Sequence, residues 1–279
     1  MDGPSRPLPS GDALPSIGFG TWDIPEAAIP QAIEAALDAG YRHIDTAEGY
    51  KNETAIGDAV ADVDRTELFL TSKVLPKHLA YESVIEACHG SLDRLGTDYL
   101  DLYLIHWPNP AISLRETLAA MAYLHAEGLV RNVGVSNFSA YQLSCAHRVS
   151  DVPIAVNQIE YHPWWRQEAV VEYCRETGTV VEAAAPLARG AVFEDPTITE
   201  IATRTGRHPA AVVLAWALET DVVVLPKSTD PDHIAANHRV DTDPLSPEDH
   251  AAVQAIAHRE PVYDHPARVW TDADYGISP

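Results

Sequence analysis

A chain of 279 residues with 46% apolar side chains can bury one large core, and a single domain is the expectation at this length. Its 41 acidic residues outnumber 19 basic ones, and the formal charge of −22 repels nucleic acid and anionic lipid and favours a monomer. The longest apolar run, Ala210 to Leu218, has nine residues, about half of the ~18 needed to cross a bilayer, which excludes a membrane span there.

In chain order, Met1 to Gly11 is polar and proline-rich, without the basic start and apolar run of a secretion signal, so the cytoplasm is the expected compartment. Ser10-Gly11-Asp12, set between Leu8 and Leu14, has the turn chemistry of a short extra hairpin. From Ile17 to Ser228, β-rich runs then alternate with helical patterns. The expected strands are Ile17–Gly20, His43–Asp45, Leu68–Val74, Leu100–His106, Val133–Val135, Ala155–Ile159, Val180–Ala183 and Val222–Leu225. The expected helices are Ile29–Ala39, Thr54–Ala61, Tyr81–Leu95, Leu114–Glu127, Ala140–Val149, Gln167–Thr177 and one longer excursion, Thr197–Leu218.

A parallel crossover needs a helix-sized connection, so strands each followed by a helix argue for a parallel sheet, and eight such units fit a closed (β/α)8 TIM barrel. The competing α/β arrangement, a doubly wound open sheet, normally carries a glycine-rich phosphate turn after its first strand. Gly18-Phe19-Gly20-Thr21-Trp22-Asp23 offers two glycines and lacks the third. Further on, Asp230-Pro231 and Ser246-Pro247-Glu248-Asp249 each set a cap residue before a proline, the second reading as a capping box through Asp249. The tail from Glu260 to Pro279 reads as irregular, with Trp270 and Tyr275 as apolar bodies that need something to cover. The cysteines, Cys88, Cys145 and Cys174, are far apart and without metal-ligand spacing, which favours buried free thiols over disulfides or zinc.

Active sites of parallel barrels collect at the strand carboxyl ends. Strand two ends in Asp45 and runs into Tyr50, strand three ends in Lys73, and strand four ends in His106. Leu100, Leu102, Leu104 and His106 share one parity, so the histidine extends an apolar face. An ammonium at Lys73, after the buried run Leu68 to Leu70, needs a neutralising carboxylate, and Asp45 one strand away is its natural partner. The ammonium is then expected to lower the pKa of the Tyr50 phenol toward working pH, letting it protonate a developing alkoxide. Taken singly, each residue has an ordinary reading as strand-end carboxylate, snorkelling lysine, loop aromatic or core histidine. Convergence on adjacent strand ends is what points to chemistry. Each of the chain's four lysines, Lys51, Lys73, Lys77 and Lys227, invites the question of its job.

Four ordered motifs stand out: Gly40-Tyr41-Arg42-His43-Ile44-Asp45-Thr46-Ala47, Tyr50-x-Asn52-Glu53, Leu95-Gly96-x-x-Tyr99 continued through Leu100 to Pro108, and Gly134-Val135-Ser136-Asn137-Phe138. Val156-Asn157-Gln158-Ile159-Glu160, Pro226-Lys227-Ser228 and Asn237 extend the set. Through these motifs the chain resembles the aldo-keto reductases over nearly its whole length. The resemblance implies Tyr50 as general acid, Lys73 and Asp45 as its tuning pair, and His106 as the group that orients the carbonyl oxygen. It implies that Ser136, Asn137 and Gln158 hold the nicotinamide carboxamide, that Lys227 and Ser228 clasp a 2′-phosphate, and that Asn237 meets the adenine. Thr21, Trp22 and Leu187 join the expected cofactor contacts, and Trp22 and Trp107 are expected at the substrate mouth. Trp164, Trp165, Phe193 and Trp270 are further candidates to close that mouth. The implied cofactor is NADPH, with NADH as the alternative, the partner a small-molecule carbonyl compound, and no metal is required.

The chain departs from the family pattern at three places. Ala184 and Ala185 precede Pro186-Leu187 where the family usually has a stacking aromatic and a serine. His233 stands where an arginine commonly braces the 2′-phosphate, and a histidine has neither the bidentate fork nor the permanent charge of arginine. Leu75 follows Val74 where relatives often carry a pocket tryptophan. The two alanines and His233 motivate a second reading, a cofactor-binding regulatory module with little turnover. A metal-dependent hydrolase drawing on the chain's 13 histidines finds no strand-end histidine cluster in its support.

Overall fold

The structure is a computed structural model that describes residues 4–242 and 244–263. A two-stranded antiparallel hairpin, β1 (Ser5–Pro7) and β2 (Ala13–Pro15), comes first. Its turn is closed by Gly11 N donating to Leu8 O and Leu8 N donating to Asp12 O, at 2.9 Å each, as the Ser-Gly-Asp signal implied.

Eight parallel strands follow in sequential spatial order: β3 (Phe19–Gly20), β4 (His43–Asp45), β5 (Phe69–Val74), β6 (Leu100–Ile105), β7 (Val130–Ser136), β8 (Ile154–Glu160), β9 (Val180–Ala184) and β10 (Val223–Val224). The sheet closes on itself through a parallel bridge between Ile17 and Val224. Gly18 N donates to Val224 O at 2.9 Å and Gly20 N to Pro226 O at 3.0 Å, carrying the ladder across the seam. The fold is therefore the expected (β/α)8 barrel, with the hairpin as its floor: Leu8 and Leu14 pack with Phe69, Leu102, Leu104, Val156 and Val223 inside it. The larger apolar core lies between strands and helices.

The helices expected over Ile29–Ala39, Tyr81–Leu95 and Ala140–Val149 form with those bounds. The third opens on a complete capping box between Ser139 and Gln142. The excursion read as one helix is two, Pro196–Thr205 and Pro209–Glu219. Gly206, at φ 71, ends the first in a left-handed cap, and the His208 imidazole accepts from Ala210 N to start the second. β7 begins three residues before the expected Val133, because exposed Arg131 and the inward Asn132 hide its apolar pattern. Asn132 earns its interior place by donating to Asp101 O at 3.0 Å.

Asp230 caps the helix Pro231–His238 as expected. The capping box expected through Asp249 is half-formed: Ser246 Oγ accepts from Asp249 N, but the Asp249 carboxylate is taken by Arg204. All three cysteines are free, yet Cys145 is only half-buried, a correction to the expectation of three buried thiols. The chain after the helix Pro247–Gln254 is irregular through Tyr263. Trp270 and Tyr275 lie outside the described residues.

Candidate active site

The barrel carries its polar residues in layers toward the strand carboxyl ends, where side chains of one parity point inward. Lys73 on β5 is 0% exposed, and its Nζ donates to Asp45 Oδ1 at 2.6 Å and to Thr46 O at 2.8 Å. A third contact reaches Tyr50 Oη at 3.3 Å. Tyr50 ends a short 3-10 turn, Glu48–Tyr50, that follows β4 and returns the phenol over the barrel mouth. His106, just past β6, sets its ring 5.5 Å from that of Tyr50 at 76°, an edge-on approach. The four residues expected to converge do so.

One expectation is overturned. Lys73 was expected to bring the Tyr50 phenol down, but burial first and the Asp45 charge second push it well above its ordinary value. Burial outweighs the help of the ammonium, which is shared at shorter range with Asp45 and the Thr46 carbonyl. Tyr50 consequently keeps its proton throughout the neutral range.

Beneath this layer lies a second polar group that the sequence reading did not single out. Glu182 on β9 and His43 on β4 are both 0% exposed and meet across the barrel interior, with His43 Nε2 3.7 Å from Glu182 Oε1. Burial first, then the Lys73 charge, lowers His43 to about 3, so it is a neutral imidazole, which shares a 3.1 Å hydrogen bond with Thr71 Oγ1. Burial first, then the Asp45 charge, raises Glu182 to about 8. Gly18 makes this layer feasible, since a Cβ there would come within 2.4 Å of His43 Nδ1.

A cavity of about 710 Å³ opens above both layers. Asp45, Tyr50 and Gln158 line it near the barrel axis, and Lys227, Ser228, His233 and Asn237 line it beyond β10. Trp22 and Leu187 also line it, as expected of cofactor or substrate contacts. The other expected contacts are engaged internally: Thr21 Oγ1 donates to Asp45 O at 2.8 Å, Ser136 Oγ to Gln158 O at 2.8 Å, and Asn137 Nδ2 to His106 O at 2.9 Å. Trp107 packs against Tyr263 with ring centroids 6.3 Å apart. Phe193 lines the cavity, whereas Trp164 donates to Asp195 at 2.9 Å and Trp165 pairs with His162 through the backbone. Lys51 and Lys77 stand apart from this site, around a second cavity of about 460 Å³ that Arg94 also lines.

Two cavity residues had no readable signal. Arg189, in the loop after β9, adopts φ 54 and lays its guanidinium 4.6 Å from the Trp22 ring centroid. Tyr263 belongs to the segment read as an irregular tail. It is set in place because the buried Glu160 carboxylate accepts from Val262 N at 2.5 Å and Tyr263 N at 3.3 Å. Among the described residues no group of three or more His, Cys, Asp or Glu side chains is placed to hold a metal ion, and no helix is long and apolar enough to cross a membrane.

A phenol, an ammonium, an imidazole and a carboxylate thus meet at one end of a parallel barrel beside a cavity of about 710 Å³. The chain belongs to the aldo/keto reductase family, whose model matches residues 16–258. An aldo-keto reductase of Mycolicibacterium smegmatis is 40% identical over 256 residues, spanning 91% of this chain and 93% of that protein. The solved aldo/keto reductase from Brucella melitensis is 39% identical with a TM-score of 0.86, covering 91% of this chain and 98% of that one. A Bombyx mori aldo-keto reductase solved in complex with NADP is 32% identical with a TM-score of 0.89, covering 97% and 98%. Members of this family use nicotinamide cofactors and act on small-molecule carbonyl compounds.

Proposed function

We propose that this protein reduces aldehydes or ketones to alcohols with NADPH, Tyr50 serving as general acid, within a single domain spanning residues 1–279. The observation that carries the reading is the Lys73 ammonium, fully buried and held between Asp45 Oδ1 at 2.6 Å and Tyr50 Oη at 3.3 Å, two residues that line the large cavity. The third N–H of the ammonium is thereby aimed at the oxygen from which a proton would be delivered.

The residues suit the cofactor. Gln158 presents an amide at the inner wall, and Lys227 and Ser228 present a cation and a hydroxyl at the other part of the same cavity, as a nicotinamide and a 2′-phosphate require. With reduced nicotinamide held there, its hydride would be available for the carbonyl carbon. His106 donates to the carbonyl oxygen and fixes its direction. Tyr50 releases its proton to the same oxygen as the alkoxide forms, and Lys73 stabilises the phenolate left behind. The phenol's raised pKa keeps this donor loaded, and an alkoxide is basic enough to take its proton.

Apolar and aromatic walls at Trp22, Leu187, Phe193 and Tyr263 suit hydrophobic or aromatic carbonyl compounds over charged ones. The heavy negative charge supports a monomer, and three free cysteines suit a reducing cytoplasm. Following NADPH consumption with a panel running from benzaldehyde to aliphatic dicarbonyls tests the reading. Turnover with aromatic aldehydes is expected; cofactor binding without consumption anywhere in the panel would favour the regulatory module.

Two substitutions probe the departures from the family pattern. Ala184→Tyr places a ring on the cavity wall, and it should tighten NADPH binding by about 5- to 150-fold, as base–aromatic stacking contributes ~1–3 kcal/mol. A fluorescence titration checks this, and unchanged affinity would show that the ring finds no partner. His233→Arg should raise the ratio of NADPH to NADH affinity by about tenfold through a charge-assisted fork to the 2′-phosphate. Paired titrations with the two cofactors measure it, and an equal gain for both would place the arginine elsewhere.

A further inference from the structure

Gln158 has only one way to sit in its surroundings. Its Nε2 donates to Asp45 Oδ2 at 2.9 Å and to Glu182 Oε2 at 3.1 Å, which accounts for both amide protons. Rotating the amide by half a turn would press its oxygen against the Asp45 carboxylate. The side chain lines the cavity, so Oε1 is the atom left to face whatever binds there.

The Glu182 end of this arrangement is costly. A carboxyl in the barrel interior with 0% exposure, and with its Oε1 lacking a hydrogen-bond partner among the described residues, is poorer for stability than an apolar side chain of similar size. His43 offers no full compensation, since its Nε2 lies 3.7 Å from Glu182 and bonds Thr71 instead. The side-chain hydrogen bond that Glu182 makes among the described residues is to Gln158. The geometry points to Glu182 as a positioning residue that, with Asp45, locks the Gln158 amide so that only its oxygen faces the cavity. The site then selects a cofactor ring that carries an amide N–H donor.

This inference rests on the cofactor reading above and adds to it a residue with no contact to cofactor or substrate. Protonated or ionised, Glu182 offers Gln158 an acceptor oxygen, but the ionised form accepts more strongly. The groups that face it are His43 and Asp45 from β4, Lys73 from β5 and Gln158 from β8. Burial with the Asp45 charge raises its ionisation well above the ordinary carboxylate range, so the lock should tighten as pH rises and the carboxyl ionises.

The test compares dissociation constants, measured by fluorescence quenching, for NADPH and for its 3-acetylpyridine analogue, which has a ketone in place of the amide. The wild type should prefer NADPH by about tenfold, the worth of roughly one hydrogen bond. Glu182→Met should bring that preference to near unity by weakening NADPH alone. Glu182→Gln, which still offers an acceptor oxygen, should restore it. From pH 6 to pH 9 the preference should increase in the wild type and stay flat in Glu182→Gln, a comparison that stands even if the methionine variant does not fold. A purely structural glutamate would move both cofactors together, and an intact preference in Glu182→Met, or a flat wild-type profile, overturns the assignment. Failure of the wild type to bind either nucleotide would instead remove the reductase reading itself.

Discussion

Lys73→Met is expected to cost both the fold and the chemistry. Methionine keeps much of the stem's packing but leaves the Asp45 carboxylate, 3% exposed, without the ammonium 2.6 Å away. Breaking one side of a buried pair costs about 3–5 kcal/mol, and in a domain of this size the melting temperature should fall on the order of 10 °C. The Thr46 carbonyl loses a donor as well. Turnover should fall further than the stability loss accounts for, because nothing then stabilises the phenolate formed at Tyr50 as its proton leaves. Thermal melts and kcat at a temperature where the variant is fully folded separate the two effects. A variant as stable as the wild type, or one with full kcat, would contradict the account of this pair.

Tyr50→Phe should leave the fold intact and remove the proton. The substitution deletes an oxygen whose described hydrogen bond, at 3.3 Å, is the longest of the three that Lys73 makes, so the melting temperature should move little. General acid catalysis is worth ~10²–10⁴ in rate, and kcat should drop by about that factor. NADPH affinity should stay within about twofold, because the phenol's task is to serve the carbonyl oxygen. A large loss of binding with kcat retained would make Tyr50 a cofactor contact and leave the proton unassigned.

The sequence disclosed the parts of this site that a single strand end can reveal. Asp45, Lys73 and His106 each stand near a strand end, and an ammonium after the apolar run Leu68 to Leu70 demands a carboxylate, so the pairing of Asp45 with Lys73 was legible before any coordinates. Glu182 was not. One acidic residue in Val180–Ala183 reads equally well as a solvent-facing position, and only closure of the barrel sets it opposite His43. The direction of the Tyr50 shift was misread for a related reason. Proximity to Lys73 could be inferred from spacing, whereas the burial that dominates the phenol's environment depends on what packs over it.

Other gaps trace to segments without periodicity. Tyr263 reaches the cavity because backbone N–H groups of residues 262 and 263 dock on Glu160, a contact between strand end and tail that no local pattern announces. Arg189 reaches Trp22 from a left-handed backbone conformation at a non-glycine position, which sequence statistics disfavour. The break at Gly206 and Pro209, by contrast, was readable in the residues themselves, since Thr203 to His208 are all polar or glycine and separate the apolar positions of the two helices.

The central claim is direct hydride delivery to a carbonyl carbon, with the proton coming from Tyr50. Single-turnover reduction of benzaldehyde with NADPH deuterated at the transferring C4 position, run on the wild type and on Tyr50→Phe, tests it most directly. The account predicts benzyl alcohol carrying one deuterium on its carbinol carbon and a Tyr50→Phe rate lower by about 10²–10⁴. Alcohol without that deuterium, or equal rates for the two proteins, would contradict it.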